Sequence, residues 1–290
     1  MPHKLSQNHL AILYICFGML LASIGDTAGK FLAQGTSVFM LLLLFGLSGT
    51  VCALIYGLMD RGKTAFQSNH YKWHIVRGSC FAVCSGLNIY ALTRLQIDQF
   101  YIFGFTNIFW IVLIGRIVFK DVIGAHRLIA ICIGFLTIIY MFQPSLNIDT
   151  IGASVALLSG FLQAFAFLPV KFMPQNESRA LFALSRMSIT FLLALPFVLF
   201  YDVAMPDPIV IFYSCLVGAL YVVIMIFLSL GYLRASSSAV VAPFHYTQII
   251  WGIVFGYIVF ADTPTIEIII GAIVLILTGI YLIKSEKRTT

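Results

Sequence analysis

Two side-chain amides, Asn107 and Gln248, lie near the centres of apolar segments that are each long enough to cross a membrane. Each amide follows a threonine and precedes a tryptophan by three residues, Trp110 in one segment and Trp251 in the other. Amides offer both hydrogen-bond donors and acceptors, and polar groups in hydrocarbon usually face a bundle interior or a cavity. We therefore interpret this pair as the polar centre of a binding site for a small molecule, with hydrogen bonding across a packed helix interface as the alternative.

Charged residues inside the apolar segments are the next candidates. Asp26 is the only acid well inside a segment, and Lys30 follows it at a spacing that places both on one helix face. We interpret Asp26 as the group that binds a proton or a substrate ammonium, and a structural ion pair with Lys30 is the alternative. Arg77 and Arg186 lie within about two turns of a segment end, so we expect their side chains to extend to the lipid headgroups. Binding of a substrate carboxylate is the second interpretation for both arginines.

The segment that contains Gln248 also contains Pro243, His245 and Tyr246. Proline removes one helical hydrogen bond, so Pro243 predicts either a local break, as in the discontinuous helices of transporters, or a tolerated kink. His245 could titrate near neutral pH or simply be hydrogen-bonded within the bundle. We expect Tyr246 and the two tryptophans to shape the cavity, although aromatic rings also fill space. Weaker polar candidates are Asn88, Tyr90, Gln163 and Tyr221.

The two amides belong to an internal repeat. A shift of 141 residues, the spacing from Asn107 to Gln248, also superimposes the two tryptophans and matches Asp121 with Asp262. The same shift aligns the segments WIVLIGRIVFKD and WGIVFGYIVFAD, and it aligns Lys30-Phe31 with Lys171-Phe172. The chain therefore reads as two related halves, residues 1–146 and 147–290.

Composition assigns the class of protein. Hydrophobic residues make up 61% of the 290 residues and charged residues only 10%, against roughly a quarter charged in globular proteins. The net charge of +6 comes from basic residues scattered between apolar segments, so no nucleic-acid partner is expected. Catalytic and metal-binding motifs are not apparent, so we expect no enzyme activity, cofactor or metal. The sequence predicts an all-α integral membrane protein.

Ten apolar windows of spanning length predict ten transmembrane helices. They cover residues 10–32, 37–58, 73–93, 97–118, 123–142, 151–171, 180–200, 209–232, 237–260 and 265–284. With the N-terminus in the cytoplasm, all of the 17 lysines and arginines except Lys30 and Arg94 lie on the cytoplasmic side. Five helices in each half place the second half upside down relative to the first. Such inverted repeats are typical of transporters with a substrate site at mid-membrane.

The segments WIVLIGRIVFKD and WGIVFGYIVFAD, each followed by a final helix, resemble those of a known family. Two five-helix halves that close in this way resemble the EamA type of the drug/metabolite transporter superfamily over essentially the whole chain. The Asp26-x-x-x-Lys30 pair, the sequence HIVRG at residues 74–78 and the sequence APFHY at residues 242–246 are similar to the bacterial S-adenosylmethionine uptake branch. The sequence departs from the family at Asp121 and Asp262, where glutamate is common.

The resemblance and the residues together predict a secondary transporter of a small polar or zwitterionic metabolite in a bacterial inner membrane, with both termini in the cytoplasm. The substrate expected from the resemblance is S-adenosylmethionine, and the alternatives are amino-acid or drug-like metabolite export and a riboflavin-type vitamin carrier. A membrane-embedded lipid enzyme is the alternative from another class. Membrane lipid and a small molecule are the expected partners, and the sequence leaves proton coupling and oligomeric state open.

Overall fold

The structure is a computed structural model that describes residues 7–92, 94–95, 97–121, 123–142, 149–174, 176–201, 203–261 and 263–289. Within these ranges every regular element is a helix, which confirms the all-α prediction. The α-helices are α1 (Gln7–Leu32), α2 (Val38–Arg61), α3 (Tyr71–Leu92), α4 (Ile97–Gly104), α5 (Asn107–Val118), α6 (Ala125–Phe142), α7 (Thr150–Phe167), α8 (Arg179–Phe200), α9 (Pro208–Arg234), α10 (Ser238–Val241), α11 (Thr247–Phe260) and α12 (Ile266–Thr289). Short 3₁₀ helices follow α2, α7 and α10 at Gly62–Phe66, Leu168–Phe172 and Ala242–Tyr246.

Eight helical stretches among the described residues are long and apolar enough to cross a membrane, and a shorter apolar helix covers Ile102–Val118. The eight are Gln7–Leu32, Val38–Phe66, Ala125–Phe142, Thr150–Phe172, Arg179–Phe200, Pro208–Arg234, Ser238–Phe260 and Ile266–Ile283. Their outward surfaces are rich in exposed leucine, isoleucine and phenylalanine, as expected of surfaces that contact lipid. The protein is therefore a multi-pass integral membrane protein.

Two of the predicted spans are interrupted. The expected helix at residues 97–118 ends at Gly104 and begins again at Asn107, and the expected helix at 237–260 contains the 3₁₀ helix around Pro243. Equivalent threonines lie at both breaks: Thr106 Oγ1 donates to the Phe103 carbonyl at 2.5 Å, and Thr247 Oγ1 donates to the Phe244 carbonyl at 2.7 Å. A hydroxyl that binds a nearby carbonyl competes with helical hydrogen bonding. Proline is therefore not required for the break.

The two interrupted helices also end alike. Lys120, just after α5, and Ala261, just after α11, both adopt φ 56° and are 141 residues apart. This left-handed conformation costs a non-glycine residue about 1–2 kcal/mol, so a backbone that adopts it twice at equivalent positions is specified by its surroundings.

Helix packing brings the two halves of the chain together. α1 packs against α9 and α11, α7 packs against α3 and α5, α2 packs against α8, and α6 packs against α12. Side chains then join the helix ends: Asn8 Oδ1 accepts from the Ser236 amide at 3.0 Å, and Arg61 donates to the Asn176 carbonyl at 2.8 Å. We call this end of the bundle the N-terminal face. The far face contains the exposed ion pair of Arg94 and Asp149 at 3.4 Å.

Candidate functional site

Asp26 on α1 is held by two other helices. Gln248 Nε2, in the first turn of α11, donates to Asp26 Oδ2 at 2.7 Å, and the Tyr221 hydroxyl on α9 donates to Asp26 Oδ1 at 3.4 Å. Ser23, one turn before Asp26, donates to the backbone carbonyl of Gln248 at 2.8 Å. The Asp26 side chain remains exposed even though both of its oxygens are bonded across helices. It therefore faces an opening between α1, α9 and α11.

Arg186 places a positive charge on the other side of Tyr221. Its guanidinium carbon lies 5.4 Å from the centre of the Tyr221 ring and 4.7 Å from the centre of the Phe81 ring. Arg186 Nη1 also donates to the sulfur of Met225 at 3.2 Å, which is a weak acceptor for a charged group. Tyr221 thus contacts an arginine through its ring and an aspartate through its hydroxyl, so opposite charges flank one aromatic side chain.

Asn107, in the first turn of α5, forms the second polar centre. Its Nδ2 donates to Gln163 Oε1 on α7 at 2.6 Å, and the residue is only 5% exposed. Asn107 Oδ1 and the indole nitrogen of Trp110 are buried among the described residues without a hydrogen-bond partner. Buried polar atoms usually have partners, so this acceptor and this donor are available to a ligand or to water. The Trp110 ring packs edge-on against Phe161 at 5.4 Å.

The Asn107 centre continues along α7. Ser159, one turn before Gln163, is hydrogen-bonded to Asn88 and lies 3.1 Å from the sulfur of Cys84, both on α3. Sequence reasoning ranked Gln163 and Asn88 as weak candidates and did not consider Ser159 or Ser23. In both centres a serine lies one turn before the larger polar side chain, Ser23 before Asp26 and Ser159 before Gln163, and this pattern is recognised only once the packing partners are known.

The two polar centres occupy equivalent places. Gln248 of the second half bonds to α1 of the first half, and Asn107 of the first half bonds to α7 of the second half. The chemistry differs, because the partner is a carboxylate in one centre and a neutral amide in the other.

Arg77 does not extend to the headgroups, so that expectation is wrong. The residue is 0% exposed, and its guanidinium donates to the Phe182 carbonyl and to Ser229 Oγ, both at 2.8 Å. These bonds join α3 to α8 and α9. The Phe182 ring also lies 5.1 Å from the guanidinium carbon. Arg77 is therefore part of the helix packing in this structure, and contact with a substrate carboxylate stays a prediction.

The other predicted site residues are distributed around these centres. His245 and Tyr246 are buried, with the Tyr232 hydroxyl 2.9 Å from His245 Nε2 and the Tyr246 hydroxyl donating to the Ile131 carbonyl at 3.2 Å. Trp251 is half-buried and stacks on Phe255 one turn later, at 6.5 Å between ring centres. Lys30 is exposed, with Nζ 4.3 Å from the centre of the Phe260 ring.

Comparison with known sequences identifies the second half of the chain. Residues 150–285 match the EamA-like transporter family. The matched segment contains Gln163, Arg186, Tyr221 and Gln248, whereas Asp26 and Asn107 lie before it.

Whole-chain relatives are also transporters. A riboflavin transporter of Brucella anthropi is 23% identical over 80% of this chain and 84% of its own length. An S-adenosylmethionine uptake transporter of Rickettsia prowazekii is 22% identical over 96% of this chain and 94% of its own length. An uncharacterized transporter of Helicobacter pylori is 22% identical over 83% of this chain and 82% of its own length. These names point to transporters of small molecules and away from enzymes.

The fold has a counterpart among solved structures. One crystal structure superimposes with a TM-score of 0.79 over 93% of this chain and 94% of that chain, at 11% sequence identity. The arrangement of helices is therefore shared along nearly the whole chain, including the half that precedes the matched segment.

Proposed function

We propose that this protein is a secondary transporter that moves a small polar or zwitterionic metabolite across a bacterial inner membrane by alternating access. In this proposal ten transmembrane helices form two inverted five-helix repeats, residues 1–146 and 147–290, with both termini in the cytoplasm. The N-terminal face is then the cytoplasmic face. Asp26, Gln248, Arg186 and Asn107 form the substrate site, and Asp26 binds a cation or a proton.

The packing partners support the inverted repeat. Exchanging each helix with its counterpart in the other half converts the α1–α9 pair into α7–α3 and the α1–α11 pair into α7–α5. The α2–α8 and α6–α12 pairs are each converted into themselves. The helix breaks at Thr106 and Thr247 and the left-handed residues Lys120 and Ala261 follow the same relation. These matches are expected of two halves related by a pseudo-two-fold axis in the membrane plane.

The observation that carries the proposal is the hydrogen-bonded Asp26 with Arg186 nearby. A carboxylate that is exposed between membrane helices can bind an ammonium group, and Arg186 can bind a carboxylate. A zwitterion with separated charges would satisfy both groups at once. S-adenosylmethionine, the substrate named for the Rickettsia prowazekii relative, carries an ammonium, a sulfonium and a carboxylate, so it is the first substrate to test.

A neutral heterocycle is the second candidate substrate. The unpartnered Asn107 Oδ1 and Trp110 nitrogen offer one acceptor and one donor to a polar ring edge. Riboflavin, named for the Brucella anthropi relative, has such an edge and no net charge. Export of amino acids or of drug-like metabolites remains the alternative direction for the same site.

Uptake into proteoliposomes tests the proposal. Labelled S-adenosylmethionine and labelled riboflavin are supplied with and without an imposed pH gradient, and saturable uptake of either compound is the expected result. Gln248→Ala should abolish uptake because it removes the bond to Asp26, while the variant keeps the size-exclusion profile of the parent. Gln67→Ala, the same change in an exposed loop residue, is the matched control. Normal flux in the Gln248 variant would remove this site from the proposal.

The variant Asp26→Asn distinguishes a role of Asp26 in proton coupling from a role in substrate binding. If Asp26 carries a proton, this variant should lose the acceleration by the pH gradient. If Asp26 binds the substrate cation, the variant should lose uptake under every condition. Uptake that matches the parent with and without the gradient would contradict both roles.

A further inference from the structure

Asp121 joins three segments at the N-terminal face. The residue follows α5, and its carboxylate lies 3.2 Å from Lys171 Nζ in the 3₁₀ helix after α7. Asp121 Oδ2 also accepts from Ser237 Oγ at 3.1 Å and from the Ser238 backbone amide at 2.8 Å, at the start of α10. Asp121 therefore connects α5, in the first half of the chain, to the 3₁₀ helix after α7 and to the start of α10, both in the second half.

This junction is shielded from water. The side chains of Lys171 and Asp121 are only 11% and 9% exposed. The carboxylate accepts charge-assisted and neutral hydrogen bonds together, an arrangement that offsets the cost of burying the charge. Ser238 is fully buried beside Gly115 of α5. Opening the junction would break these hydrogen bonds together, whereas an exposed surface ion pair contributes little to stability.

Equivalent positions of the two halves differ in packing. Phe167 and Val170, at the N-terminal-face end of α7 and the 3₁₀ helix after it, are buried, whereas their counterparts on α1, Asp26 and Gly29, are exposed and half-buried. A Cβ placed on Gly29 would meet no atom within 4 Å.

The second pair of equivalent elements shows the same difference. Ile111 of α5 is fully buried, whereas its counterpart on α11, Gly252, is exposed and would meet no atom within 4 Å of an added Cβ. At these positions the elements that lead to the N-terminal face are packed, whereas the equivalent positions that lead to the far face are less buried.

We infer that Asp121 is a gate latch: the structure is the conformer closed at the N-terminal face and open at the far face, and the bonds from Asp121 to Lys171 and Ser238 hold it closed. This inference rests on the proposed function, since a gate is required only if a substrate crosses. Release of the substrate at the N-terminal face requires the latch to open, because the closed segments lie between the Asp26 site and that face.

The far face contains part of the same arrangement. Lys171 Nζ lies 5.4 Å from the centre of the Phe119 ring, and the counterpart Lys30 Nζ lies 4.3 Å from the centre of the Phe260 ring. Inverted repeats exchange their conformations between the two end states of transport. In the conformer that is closed at the far face, Lys30 would accordingly take the part that Lys171 has in the latch at the N-terminal face.

A reversible cross-link tests whether the gate must open. A Cβ on Gly115 lies 3.2 Å from the Ser238 Cβ, close to the roughly 3.5–4.5 Å of disulfides. Gly115→Cys with Ser238→Cys is made in a background whose six native cysteines are replaced by alanine and whose uptake is retained. Oxidation should stop uptake, a reductant should restore it, and the single-cysteine variants should be insensitive to both. The inference would be overturned if the fully cross-linked protein transported as fast as the same protein after treatment with the reductant.

An accessibility measurement tests the latch without requiring transport or a cysteine-free background. Val241→Cys places a thiol at a fully buried position of α10, three residues after Ser238. In detergent, its labelling by a charged maleimide is followed by peptide mass spectrometry, which separates it from native cysteines. Adding Asp121→Asn should accelerate labelling about tenfold or more, since a charge-assisted bond is lost. Adding Asp149→Asn, in an exposed ion pair at the far face, should leave labelling unchanged. Equal labelling with and without Asp121→Asn would overturn the latch.

The two experiments separate the possible failures. If no tested compound is transported but Asp121→Asn accelerates labelling, the latch stands and the substrate assignment fails. If uptake is saturable but the cross-linked protein transports normally, the transporter stands and the latch fails.

Discussion

The bond between Asp26 and Gln248 should be measurable as a coupling free energy. Double-mutant cycles isolate one interaction because effects outside the pair cancel. The cycle comprises the parent, Asp26→Ala, Gln248→Ala and the double variant, each unfolded with an anionic denaturing detergent in micelles. Hydrogen bonds to a charged group contribute about 1.5–3 kcal/mol in proteins, whereas polar contacts between membrane helices average about 0.6 kcal/mol. The distance of 2.7 Å and the carboxylate acceptor favour about 1–1.5 kcal/mol.

A second cycle provides the internal control. Tyr221 donates to the same carboxylate at 3.4 Å, which is long for a hydroxyl donor. Its coupling with Asp26, measured with Tyr221→Phe, should therefore stay under about 0.5 kcal/mol. Coupling of Gln248 below the Tyr221 value would refute the geometry on which the site is built. It would also remove the reason to expect the Gln248 variant to lose transport.

Two further changes test the packing around the site. Gly78→Ala places a Cβ 2.6 Å from the Ser185 carbonyl oxygen and should destabilise the protein by about 1–3 kcal/mol. In the control, Gly86→Ala on the same helix, the added Cβ meets nothing within 4 Å, so the melting temperature should be unchanged or raised. His245→Phe leaves the buried Tyr232 hydroxyl without its bond and should cost about 1–3 kcal/mol of unfolding free energy, part of which Tyr232→Phe should restore in the double variant. Equal melting temperatures for the two glycine variants, or no recovery in the double variant, would contradict these assignments.

The sequence predicted the class of protein, and the structure places both amides in the first turn of a helix. Apolar windows located most of the helices because spanning length and composition are local properties. The sequence did not show that Gln248 bonds to Asp26 while Asn107 bonds to Gln163, because these contacts join helices that are distant in the chain. Periodicity places a residue on a helix face but does not identify the facing helix.

The two helix breaks and the buried Arg77 show a second limit of prediction from the sequence. Pro243 indicated an interruption in one half, whereas Thr106 marks the corresponding interruption without any proline. A threonine is common in membrane helices, and only the position of its hydroxyl reveals the competition with the backbone. Arg77 was expected at the headgroups because depth was counted from the helix end alone. The Phe182 carbonyl and Ser229 of neighbouring helices accept two hydrogen bonds from its guanidinium, and the sequence does not show that these helices are neighbours.

The left-handed residues after α5 and α11 bear on how such a chain could arise. Lys120 and Ala261 share φ 56° although a basic side chain occupies one position and a methyl group the other. The backbone therefore ends the two helices alike with either side chain, and in the proposed inverted repeat the positive charges set the orientation of each half. A single ancestral half with few basic residues could have inserted both ways up and paired with itself. Duplication and fusion would then have required only a redistribution of lysine and arginine, with no change in where the helices end.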